Sequence, residues 1–79
     1  MSQKLYNIIS DVFSVPVSEI NDESGPETIE SWDSFLGLVL VDELEKEFNI
    51  TFSLSEIVDI KNIKEIKNVL KNHDVNLLD

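Results

Sequence analysis

The chain contains no cysteine and no arginine. Without cysteine, no disulfide can staple the fold and no thiolate can ligate metal or act as a nucleophile. Any thiol this protein uses must be acquired from outside its own side chains. Its cations are six lysines against sixteen carboxylates, a formal net charge of −10 at pH 7. That balance argues against nucleic acid and against anionic membrane surfaces, both of which need basic partners. It favours solubility and basic protein partners. Long apolar runs are also missing: the longest covers residues 35–41, Gly37 included, well short of the roughly 18 residues of a membrane span. Met1-Ser2-Gln3-Lys4 lacks the apolar stretch of a signal peptide, so a cytoplasmic location is expected. The only glycines, Gly25 and Gly37, are too far apart for a phosphate-cradling loop. The acidic segment around Gly25 lacks the glutamate an EF-hand needs, so no metal site is expected there.

What is present suits one small domain. The 79 residues, 42% of them apolar, form a single unit with a modest core and modest stability. An ordered core is expected over residues 3–72, with a frayed tail at 73–79. Residues 1–60 carry thirteen acids and two lysines, whereas residues 61–79 carry three acids and four lysines. The acidic field thus belongs to the body of the domain.

Leu5, Ile8, Ile9, Val12 and Phe13 follow the i, i+3, i+4, i+7, i+8 pattern of an amphipathic helix, which Val15-Pro16 ends. Residues 15–33 read as a long connection built on Asn21, Asp22, Glu23, Ser24, Gly25 and Pro26, pinned to the core by Ile20 and Ile29. Asp33 is placed to cap a second helix over residues 34–48, with Gly37, Leu40, Val41, Leu44 and Phe48 on one face. Glu43, Glu45, Lys46 and Glu47 are its solvent candidates. Phe35 and Val39 fall opposite that face, and Leu36 and Leu38 flank it. Ser53-Leu54-Ser55-Glu56 has the spacing of a capping box and predicts a short third helix anchored by Ile57 and Ile60. Asn62 caps a fourth, whose inner face is Ile63, Ile66, Val69 and Leu70. Lys61, Lys64, Lys67 and Lys71 then form a solvated side. The expected fold is all-α: a small four-helix bundle of three main helices and one short one, with a long loop between the first two.

One stretch carries chemistry. Trp32-Asp33-Ser34-Phe35 puts a serine at the start of a helix, exposed and next to the capping aspartate. Asp33-Ser34-Phe35 resembles the Asp-Ser-Leu type motif of the acyl carrier protein family, which includes peptidyl carriers. The similarity runs over roughly residues 4–72, in element order, in Leu44-Glu45-Lys46-Glu47-Phe48, at Phe52, and in Ile60-Lys61-Asn62-Ile63. The tripeptide alone is a common helix start; with this spacing, size and acidity it is specific.

The resemblance implies a carrier and not an enzyme. A phosphopantetheinyl transferase would attach 4′-phosphopantetheine covalently to Ser34, with Mg²⁺ present only at the transferase. Asp33, besides capping, would orient the motif. Acyl- or aminoacyl-loading and acyl-transfer enzymes would be the further partners, and the carrier itself a monomer. Many fatty-acid carriers place acids on the outer face early in the motif helix, where this chain has Leu36 and Val39, so a specialised pathway is implied. Asp-Ser-Phe also resembles the D-alanyl carriers, from which the chain departs at Leu36 and Leu38.

Alternatives remain at individual residues. Trp32 is either a ring packed over the end of the loop or a contact to the arm. Phe35 and Val39, with Leu36, are either a docking surface or, on a rotated helix, core. A different class altogether is an acidic helical adaptor with the same fold that is never modified. A hydrolase lacks a base near Ser34, since His73 is the only histidine and lies at the far end of the chain.

Overall fold

A computed structural model describes residues 3–77. It contains α1 (Gln3–Phe13), a 3₁₀ turn (Val17–Glu19), α2 (Ser34–Phe48), α3 (Leu54–Asp59) and α4 (Ile63–Asn72). No strand occurs among the described residues. This is the expected four-helix bundle, and α2, α3 and α4 each start at the predicted cap. Asp33 accepts a hydrogen bond from the Leu36 N–H at 2.8 Å, and Asn62 accepts one from the Glu65 N–H at 2.8 Å. At α3 the capping box is complete: Glu56 N–H donates to Ser53 Oγ and Ser53 N–H donates to Glu56 Oε1.

The core is built from Leu5, Ile9 and Phe13 of α1, Leu40 and Leu44 of α2, and Ile63, Ile66 and Leu70 of α4. Ile20 and Ile29 are buried as the loop's anchors. α1 is rotated slightly from its apolar stripe: Tyr6 is buried, while Ile8 and Val12 are only half-buried. The cause is polar. The Tyr6 hydroxyl accepts a hydrogen bond from the Lys67 ammonium at 2.9 Å and lies 3.4 Å from the Asp22 carboxylate.

Two residues expected in solvent are not there. Lys67, assigned to the solvated side of α4, folds back to pair with Asp22 and lies over the Tyr6 ring, 4.9 Å from its centroid. Glu45 is half-buried, and its carboxylate accepts the Phe52 N–H at 2.7 Å. In both cases a long side chain brings its charge to a partner that helical periodicity does not reveal.

The connection between α1 and α2 does structural work at α4. The Ser24 carbonyl accepts the Ile63 N–H at 2.9 Å, and the Asp22 carbonyl accepts the Lys64 N–H at 3.0 Å. With Asn62 these acceptors satisfy first-turn amides that a helix cannot pair internally. Ser31 Oγ donates to the Phe13 carbonyl at 2.7 Å and ties the loop's other end to α1.

The expected frayed tail lies partly outside the described residues, at 78 and 79. Within them, the Val75 N–H donates to the Leu70 carbonyl, and Val75 and Leu77 pack against the core.

The Asp22–Lys67 pair gives a pH prediction. The hydrogen bond from Lys67 holds the Asp22 carboxyl below its usual range, against a smaller opposing effect of burial. For Lys67, burial works against the charge, but the bonds to Asp22 and Tyr6 together raise its pKa. Because Asp22 titrates lower when folded, its stabilisation is full above the unfolded pKa and is lost as pH falls through the folded one. Half of the Asp22 side chain is exposed, so screening keeps the contribution within about 1 kcal/mol. Urea melts across the acidic range should therefore show a shallower loss of stability in Asp22→Asn than in the natural chain. An unchanged slope would remove the pair from the acid response.

Candidate functional site

Ser34 is the first residue of α2 and is exposed. Its position follows from Asp33, whose extended backbone (φ −115°, ψ −175°) turns the chain into the helix while its carboxylate takes the Leu36 N–H. The Asp33 carbonyl takes the Gly37 N–H at 2.8 Å. The Ser34 and Phe35 N–H groups have no acceptor among the described residues. They and the helix dipole favour a negative group at this spot.

Beside Ser34 a cleft of about 580 Å³ opens between α2 and α3. Gly37, Leu38, Leu40 and Val41 form its α2 wall, Ile57 of α3 and Ile60 just after it the opposite wall, and Pro26 and Trp32 its loop end. Asp33 and Ser34 stand at it as well. The cleft accommodates a slender chain tethered at Ser34, and the two unpaired amides suit a phosphodiester there. A phosphopantetheine group therefore fits the residues present.

Trp32 is buried at the end of the loop. Its ring stacks on Phe13 with centroids 4.7 Å apart, which is packing at the end of the loop. It is also one wall of the cleft.

The apolar residues divide differently from the helical wheel. Phe35 is 72% exposed, as expected, and Leu38 is 57% exposed. Val39, expected to stand out beside Phe35, is half-buried in a depression it shares with Ile8, Asp11, Val12 and Glu43. Leu36 packs against the core. A wheel places residues around one axis and does not know where α1 lies. The second exposed apolar pair, Leu54 and Val58 on α3, escaped the sequence reading, although their i, i+4 spacing outside the anchors Ile57 and Ile60 could have shown it.

His73 is engaged elsewhere. Its Nε2 lies 3.0 and 3.1 Å from the two Glu56 carboxylate oxygens, and its ring stacks on Phe52. The capping bond from Ser53 N–H, then His73, holds the Glu56 carboxyl below its usual range. No hydrogen bond among the described residues joins His73 to Ser34.

The cleft's α3 wall was also not foreseen. The available signal was Gly37: a glycine inside an otherwise strong helix costs about 1 kcal/mol relative to alanine and asks for a reason.

No relative is matched among curated proteins. The family model described as a phosphopantetheine attachment site matches residues 3–70. That span takes in α1, α2, α3, all but the last two residues of α4, and the loop that sets Ser34 at the head of α2, and the chain belongs to this family, that of the acyl carrier proteins.

Proposed function

We propose that the protein is a carrier whose Ser34 receives 4′-phosphopantetheine and which shuttles an acyl or aminoacyl group between enzymes of a specialised pathway. The observation that supports this most is the exposed serine at the N-terminus of α2, within a chain matched over residues 3–70 to the attachment family. In the attachment step the Ser34 hydroxyl attacks the pyrophosphate of coenzyme A. A serine–phosphate bond forms, the pyrophosphate bond breaks, adenosine bisphosphate leaves, and the hydroxyl proton passes to a base of the transferase, where Mg²⁺ is also held. Once bound, the group supplies the thiol the chain lacks and holds cargo as a thioester. The protein's own residues position and present that cargo and carry out no chemistry on it.

The test is to incubate the purified chain with coenzyme A, Mg²⁺ and a broad-specificity transferase and to weigh it. A gain of one phosphopantetheine on Ser34 is expected. No gain with several transferases would favour the unmodified adaptor.

Docking is assigned to Phe35 and Leu38, both exposed and next to Ser34, with Asp33 and Asp42 adding negative charge. A partner with an apolar socket and a basic rim matches this surface. Phe35→Ala should keep the natural melting temperature and lower kcat/KM for transfer by such a partner about tenfold, as removal of an interface anchor does. Val39→Ala, at a half-buried site, should change transfer less. Equal transfer by the natural chain and Phe35→Ala would move docking to another face.

A further inference from the structure

Trp32 is 7% exposed, yet no hydrogen bond among the described residues uses its indole N–H. Buried tryptophans ordinarily give that proton to a partner. Among the described residues no side-chain nitrogen or oxygen fully shut away from solvent lacks a partner, so this N–H keeps contact with solvent, and Trp32 and its neighbour Gly37 both line the cleft. Gly37 is what leaves it open. A Cβ on Gly37 would sit 3.3 Å from Trp32 Nε1 and 3.8 Å from Cδ1, covering the nitrogen with a methyl group. The glycine that weakens α2 thus exposes a donor.

The cleft holds few other polar side chains. Of those lining it, Asp33 is an acceptor and already takes the Leu36 N–H, and the Ser34 hydroxyl is consumed on attachment. Trp32 is then the one side-chain donor left. An amide carbonyl laid on the apolar walls without a donor would be penalised. Pantetheine carries two amides, and Trp32 precedes the attachment serine by two positions, so the arm reaches the indole before any cargo does.

We propose that the Trp32 indole N–H donates a hydrogen bond to an amide carbonyl of the pantetheine arm, and that Gly37 keeps this donor accessible so that the arm lies along the α2–α3 cleft. This rests on attachment at Ser34. Trp32 acts as a positioning residue for the arm, and it serves any cargo equally.

Trp32 is the only tryptophan, so its indole N–H gives a single resonance in the ¹⁵N-labelled chain. The apo and phosphopantetheinylated forms are compared, with loading checked by mass. On loading, the indole proton should move downfield and its exchange with solvent should slow about tenfold, as for one ordinary hydrogen bond. In loaded Gly37→Ala both responses should be lost, although its mass shows full loading. Full loading of the natural chain with neither response overturns the Trp32 contact and leaves attachment standing. Responses in loaded Gly37→Ala equal to those of the natural chain overturn the role of Gly37. Absence of any mass gain overturns attachment, and this inference with it.

Discussion

Gly25→Ala is expected to destabilise the fold by about 2–4 kcal/mol, more than any other single methyl discussed. The new Cβ would lie 2.3 Å from the Lys61 carbonyl oxygen and 3.3 Å from its carbon, both main-chain atoms that no rotamer change can move aside. Overpacking of this kind costs about 1–3 kcal/mol. Relieving it means lifting the loop from α4, and the loop supplies the Ser24 and Asp22 carbonyls that accept the Ile63 and Lys64 N–H groups. Each bond lost adds about 1 kcal/mol. In a domain of this size the loss corresponds to a melting temperature lower by roughly 10–25 °C. Backbone freedom is not the issue, since no glycine here has a positive φ. A Gly25→Ala chain melting within a few degrees of the natural one would show that the contact is relieved cheaply.

Ser34→Ala separates function from folding. It should abolish phosphopantetheinylation completely, because no other oxygen nucleophile occupies that position. Its melting temperature should hardly move. Ser34 is exposed at the first position of α2, and the cap is Asp33, so the stability change should stay within about 0.5 kcal/mol. Asp33→Ala provides the contrast: loss of the bond to the Leu36 N–H should cost about 1 kcal/mol while the serine remains. Intact mass and thermal melts of the two variants read both quantities. A Ser34→Ala chain that still gains one phosphopantetheine would place attachment elsewhere. One that fails to fold would give Ser34 a structural role.

Helix boundaries were legible because their signals are local. Asp33, Ser53 and Asn62 each cap a helix within three residues of themselves, and the inner face of α4 follows from spacing alone. Ser34 and Asp33 were legible for the same reason: motif and cap are adjacent. The cleft was not, because Ile57 and Ile60 meet Gly37 only after α3 has packed. Lys67 was misplaced because its partner, Asp22, is 45 residues away. Val39 was misplaced because a wheel for α2 contains no information about α1.

The sequence by itself therefore determined the helical class, the caps, most of the core and the candidate attachment serine, all of which depend on contacts or patterns spanning a few residues. Its lack of cysteine also determined that any thiol it uses must come from outside its own side chains, and its sixteen carboxylates against six lysines that its net charge is strongly negative. Only the tertiary structure decided that the long loop caps α4, that Leu38 and not Val39 stands exposed with Phe35, and that Trp32, its indole N–H without a partner among the described residues, lines a cleft beside Ser34. Those features arise where segments far apart in the chain meet, and periodicity along one segment cannot encode which neighbour it will have.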